Sequence, residues 1–373
     1  MKSTWLRLVG LGLAVAISVA CTTDEEEGYY YYLYVADANI GKLSAYSVNS
    51  GSGSLTAVEG SPFTVGTEPR SIAIDPTGKF LYVANYYSDN VSAFEIAADT
   101  GVLTAIAGSP FTAGLGPAAI VIEPTGKFAY VANADGGNIW PYLIDPDTGV
   151  LTPYSGLAAT AGMHPVSLAV DPTGKFLYAA NEYSGDVSAY AINLGSGGLA
   201  AVAGSPYGTG GAPKSVTAEA GGKFIYVANN TTRNISAFAV DALTGALSVI
   251  AGSPFSAGTN PVSITSDPSG QFVYVGNWSS SNVSAYTITA TTGALASIAG
   301  SPYPVGAGPS ALAVDPSGKF LYVANYWTDD ITGFSVDMVS GDLVELNLSP
   351  FEEPLESHPA AIAIVRIAHG VTP

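Results

Sequence analysis

The phrase GKFLYVAN stands at residues 78–85 and again at 318–325, with near-copies at 126, 174, 222 and 270. YYYLYVAD at 30–37 is the same phrase without its opening turn. Aligned on it, units begin at Leu33, Leu81, Ala129, Leu177, Ile225, Val273 and Leu321, always 48 residues apart. A proline keeps the same period at Pro69, Pro117, Pro165, Pro213, Pro261 and Pro309, and only Pro359 arrives two residues late. A fixed interval of this length means one supersecondary unit repeated, and it overrides any count of domains from chain length.

Each unit reads as four short strands. RSIAID (70–75) is the first, and the Asp75-Pro76-Thr77-Gly78 turn follows, with proline presetting φ and glycine closing the turn. KFLYVAN is the second, rich in β-formers. After the loop SDN, VSAFEIA (91–97) alternates as a third strand; DTG turns the chain into VLTAIA (102–107), and GSPF ends the unit. Four strands in this length is the period of a propeller blade. The chain starts with a second strand, Tyr30 to Ala36, and finishes with an orphan first strand, PAAIAIV (359–365). Seven first strands and seven second strands result only if the two ends share a blade, which also removes free sheet edges. The expectation is an all-β, seven-bladed propeller over 29–368, four strands per blade, closed by the C-terminal strand, with 369–373 as a tail.

The combination of DPTGKFLYVAN, NVSAF, DTG and GSPF resembles the lactonase-type seven-bladed propellers, including the related YVTN-repeat surface proteins. The resemblance covers about 30–368. It implies a fold more than a reaction, because that family holds 6-phosphogluconolactonase, a fungal enzyme acting on carboxymuconate, and many surface proteins. Its enzymes carry Pro-Arg-His at the start of a first strand. Here the nearest match is Pro69-Arg70-Ser71, with the arginine present and the histidine absent.

Residues 1–20 have the form of a secretory signal: Lys2 and Arg7, a short apolar run from Leu8 to Val19, and the small-residue stretch Ser18-Val19-Ala20. Cys21, the only cysteine, follows directly, as in the lipobox of bacterial lipoproteins, although Ser18 stands where that pattern has a larger aliphatic residue. The resemblance implies acylation of Cys21, a short acidic tether over 21–28, export, and anchoring at the outer membrane or cell surface. Membrane contact is then through the lipid alone. The formal net charge is −18, and losing Lys2 and Arg7 makes the remainder more acidic, which repels nucleic acid.

Repetition serves as an internal control. A residue alike in every blade does architectural work, and one that varies among fixed neighbours is free for another use. Asp75, Glu123, Asp171, Glu219, Asp267 and Asp315 are therefore turn residues rather than a cation-binding collar. Asn85, Asn133, Asn181, Asn229, Asn277 and Asn325 bind the loop that follows each second strand. The unrepeated bases are Lys42, Arg70, Lys214, Arg233 and Arg366. Arg70 and Lys214 follow the first-strand proline; Glu68, His164 and His358 precede it; Arg233 lies in a loop between second and third strands. In an up-and-down blade these positions share one face. The same loops carry Tyr86, Tyr87, Tyr183, Trp278, Tyr326 and Trp327, suited to a sugar, peptide or aromatic ligand. The same aromatics could equally cap blade edges.

No Gly-x-Ser-x-Gly elbow, phosphate-cradling glycine loop or HExxH is present, and three histidines, His164, His358 and His369, do not make a metal centre. No cofactor or metal is expected. Two functions stay open. In the first, one variable face binds a small anionic or carbohydrate-like ligand, or a protein partner. In the second, the same face hydrolyses or isomerises a lactone or related carboxylated ring, with His164 as general base beside Arg70 and Lys214.

Overall fold

The computed structural model describes residues 28–154 and 158–368. The signal, Cys21, nearly all of the tether and the tail with His369 lie outside them. The described residues form seven antiparallel sheets and no helix. Blade 1 has its first strand at Pro69–Ile74, then Phe80–Asn85, Asn90–Ile96 and Leu103–Ala105. Blades 2 to 6 repeat this order with first strands at Pro117–Ile122, Pro165–Val170, Pro213–Ala218, Pro261–Ser266 and Pro309–Val314. The first strands touch one another in sequence around the ring, and Pro359–Ala368 touches both the blade 6 and the blade 1 first strands, closing it.

Blade 7 is built from both ends of the described chain. Pro359–Ala368 pairs antiparallel with Tyr29–Asp37 from Tyr29↔Ala368 to Asp37↔Pro359. The closing strand runs three residues beyond the expected 359–365, so the whole length of Tyr29–Asp37 is paired.

The outermost strand departs from expectation. It is not one run over 102–107 but two pieces on the same third strand. Leu103–Ala105 pairs with the end of Asn90–Ile96, and Phe111–Thr112, beyond GSPF, pairs with its beginning. Between the pieces Ser109 Oγ accepts the N–H of Ala93 at 2.9 Å, and the equivalent serines do the same in blades 3, 4, 5, 6 and 7. GSPF is thus part of the sheet edge as well as a linker.

The constant residues hold blades to each other. Every residue of Phe80–Asn85 is buried, since neighbouring blades cover both faces of the second strand. Its tyrosine reaches into the next blade: Tyr82 Oη donates to Gly149 O at 2.8 Å, and Tyr34, Tyr178, Tyr226, Tyr274 and Tyr322 make the same bond. Only Tyr130 has no partner for its hydroxyl among the described residues. The accepting turn needs glycine twice over. Gly149 has φ +70°, and a Cβ there would lie 2.5 Å from Phe80 Cδ1 of the preceding blade.

The turn carboxylates and second-strand asparagines behave as repeat architecture. Asp75 accepts the N–H of Thr77 and of Phe80, and the other five carboxylates likewise accept N–H groups of their own turns. Asn85 donates to Asn90 Oδ1 and Ser92 Oγ and accepts the N–H of Gly66, tying the second strand to the third and to the incoming linker. All Asp-Pro-Thr-Gly turns therefore occupy one face of the ring. The prolines that open first strands and the loops after each asparagine occupy the other.

Candidate functional site

The first strand enters each blade through one residue before the proline. In six of seven blades that residue is left-handed: Glu68, Gly116, His164, Asn260, Gly308 and His358 have φ between 53° and 70°. For a residue with a Cβ this backbone costs about 1–2 kcal/mol. Two blades meet it with glycine, whereas Glu68 and His164 accept the cost and present side chains to the mouth.

The mouth is a cavity of about 540 Å³ lined from all seven blades. Glu68, Arg70, Tyr86, His164, Tyr183, Lys214, Trp278, Tyr326 and Trp327 all face it. His358 lies behind that wall, stacked on Tyr326 with ring centroids 4.4 Å apart. Tyr87 is exposed and touches the site only through the edge of Tyr86. Arg233 is exposed and does not line the cavity, so its expected place beside Lys214 at the mouth is not found. Lys42 does not line it either, and bonds Thr64 on the outer edge of blade 7.

Across blades 1 to 4 the polar residues form one connected chain. Arg70 Nε donates to Glu68 Oε1 at 2.7 Å, and the guanidinium carbon lies over the Tyr86 ring, 3.4 Å from its centroid. Tyr86 Oη donates to Asp135 at 2.9 Å, and burial with this acceptor pushes the phenol up to about 12. Asp135 Oδ1 lies 3.8 Å from His164 Nε2. His164 Nδ1 is 3.0 Å from Glu182 Oε2, and Lys214 Nζ is 2.6 Å from Glu182 Oε1. An ionised carboxylate cannot donate, so Nδ1 carries the proton and Nε2 is the nitrogen left to act as a base. Tyr183 stacks on the imidazole at 4.1 Å and nearly parallel, which fixes the ring plane.

Two residues of this chain, Asp135 and Glu182, were not singled out from the sequence. They change its chemistry. The cations were expected to attract an anion, yet Arg70 and Lys214 each already hold a carboxylate, and the groups nearest His164 are acids. Applied to acids, the same subtraction would have found both: each is the only carboxylate in its loop column.

Blades 5 and 6 line the remaining side with aromatic rings. Trp278 and Tyr326 have centroids 5.2 Å apart, Tyr326 and Trp327 4.8 Å, and Trp278 and Trp327 5.9 Å. Burial raises the Tyr326 phenol, and the nearby charge of Glu68 adds to this, so the aromatic side adjoins the Glu68–Arg70 pair.

Fold and site together define a closed seven-bladed propeller whose one variable mouth holds a carboxylate-oriented histidine. The family profile described as lactonase, 7-bladed beta-propeller, matches residues 29–113, 105–218 and 215–308, and the chain belongs to that family. In structure it is similar to a candidate 6-phosphogluconolactonase of Bacteroides uniformis, with 19% identity, 90% of this chain and 99% of that chain covered, and a TM-score of 0.79. A second candidate 6-phosphogluconolactonase, from Bacteroides fragilis, gives 22%, 92%, 99% and 0.78. The periplasmic gluconolactonase PpgL of Pseudomonas aeruginosa gives 20%, 90%, 99% and 0.74. At these identities the likeness is one of fold. No curated protein matches the chain in sequence.

Proposed function

We propose that the mouth binds a small, uncharged, polyhydroxylated ring of the sugar or sugar-lactone class. The observation that carries this reading is the pairing of both cavity cations with carboxylates. Arg70 with Glu68, and Lys214 with Glu182, form a wall of alternating donors and acceptors with no net positive charge. Such a wall suits hydroxyls, which both donate and accept. A phosphorylated or carboxylated ligand would have to break an ion pair or approach carboxylates. Calorimetric titration with glucono-δ-lactone and with its 6-phosphate tests the charge argument. Saturable binding of the neutral ring, at least tenfold tighter than the phosphate, is expected. Tighter binding of the phosphate would overturn it.

A second reading, hydrolysis of the lactone, is favoured by the His164–Glu182 pair. With Nδ1 held by Glu182, Nε2 takes a proton from water as the oxygen attacks the lactone carbonyl. The acyl C–O bond then breaks and the proton passes to the departing ring oxygen, giving the hydroxy acid. Lys214 stands beside the pair, where the carbonyl oxygen gains negative charge. His164→Ala should return hydrolysis to the uncatalysed rate while the neutral ring still binds. Retained turnover would sink the assignment.

The proposed setting is export with a lipid on Cys21. Cys21→Ala should move the protein from the membrane fraction to a soluble pool, and unchanged fractionation would overturn the anchor.

A further inference from the structure

The mouth is divided in a way that one ring does not explain. In the first loop position after the second strand the seven blades carry Tyr86, Ala134, Glu182, Asn230, Trp278, Tyr326 and Ala38. Among the residues that line the cavity the charged side chains belong to blades 1, 3 and 4, whereas Trp278, Tyr326 and Trp327 occupy neighbouring blades 5 and 6. The cavity, at about 540 Å³, is of the size that encloses drug-sized ligands and exceeds what a single sugar ring fills. Trp327 is 58% exposed at its rim, although it contacts Trp278, Tyr326 and His358. Edge-on packing to these neighbours holds the indole in place and leaves much of its surface uncovered. An exposed, fixed aromatic surface beside a polar pocket is the arrangement that takes the C–H face of a sugar while its hydroxyls stay in water.

Resting on the reading of the mouth as a sugar-type site, we infer that its ligand has two linked sugar rings. One ring occupies the polar side between Arg70 and Lys214, and the second lies on the Trp278–Trp327 wall. The polar side recognises the end that carries the reactive or reducing ring. The aromatic side recognises the presence of a second ring through stacking, with little regard to its hydroxyl pattern, because a stacked contact reads shape before hydrogen-bond direction.

The experiment is calorimetric titration of the full chain with glucono-δ-lactone and with cellobionolactone, which adds one glucosyl ring. Cellobionolactone is expected to bind about tenfold tighter, a difference of about 1.4 kcal/mol. Trp327→Ala, an exposed position, should erase that difference by weakening cellobionolactone far more than glucono-δ-lactone, with an unchanged melting temperature; Trp278→Ala should reduce it. Equal affinity for both probes in the parent, or a tenfold advantage that survives loss of both tryptophans, overturns the second subsite while leaving the sugar reading intact. Binding of neither probe overturns both.

Discussion

Asp37 and Glu353 bury two carboxyl groups together at the seam where the two ends of the ring meet. Asp37 is fully buried and Glu353 nearly so, and the charge of Asp37 acts directly on Glu353. In every other blade the position of Asp37 is asparagine, and that of Glu353 is valine, alanine or threonine. The next residue, glycine in the other six, is Pro354. In blade 1 the N–H of Gly66 binds Asn85 Oδ1, but Pro354 has no N–H, and Asp37 Oδ1 is left without a hydrogen-bond donor among the described residues. Ser44 donates to the other oxygen, at 2.7 Å.

This seam should make stability fall as pH rises. Burial pushes Asp37 up to about 7, and burial with the Asp37 charge pushes Glu353 up to about 8. Asp329 adds negative charge from the adjoining loop, while Ser44 and Tyr46 supply hydroxyls from the next strand. Both folded values lie above those of the unfolded chain, so the folded state binds more protons from about pH 4 to 8. Stability is lost across that window. The melting temperature should be several degrees lower at pH 9 than at pH 5, and Glu353→Gln should flatten the slope. An unchanged slope in that variant would refute the role of the seam.

The tyrosine staples allow a test within one molecule. Tyr82→Phe leaves Gly149 O without its donor inside the core and should cost about 1–3 kcal/mol in denaturant unfolding. Tyr130→Phe removes a hydroxyl with no partner among the described residues and should cost much less. Equal losses would mean that the interblade bond contributes nothing specific.

Removing Pro359–Ala368 should open the ring. Tyr29–Asp37 would lose the partner strand along its whole length and expose a flat apolar edge, which favours aggregation. Light scattering and recovery in the soluble fraction would measure it. A truncated chain as soluble and as heat-resistant as the parent contradicts closure by this strand.

At the mouth, Glu182 should matter more than either residue it holds. Glu182→Gln removes the charge that orients His164 and pairs Lys214, so affinity for glucono-δ-lactone should fall further than with Lys214→Ala. If turnover is present, kcat should fall at least tenfold in the same variant. Identical behaviour of the two variants would show that the pair is not a unit.

The ring itself was legible because its signal is periodic. Seven copies of one pattern average out local ambiguity, and the mismatch between a leading second strand and a trailing first strand dictates closure. The positions that face the mouth followed from the same period. Pairing did not, because it depends on rotamers across blade boundaries: nothing in the spacing says that Lys214 reaches back 32 residues to Glu182 instead of out to solvent. Arg233 shows the converse, an unrepeated base in a mouth-side loop that is exposed away from the cavity lining. The outer strand was misread because GSPF looks like punctuation, and its role in the sheet comes from a serine side chain that replaces a backbone partner.

The pairing of Tyr29 with Ala368 also sets which way the mouth looks. Asp37, at the other end of the same strand, lies at the mouth, so Tyr29 is about 26 Å away at 3.3 Å per residue, on the face of the Asp-Pro-Thr-Gly turns. Any segment joined ahead of Tyr29 therefore enters from the back of the disc. The point where the described chain enters the ring and the opening through which a ligand reaches the cavity thus lie on opposite faces, separated by the thickness of the disc.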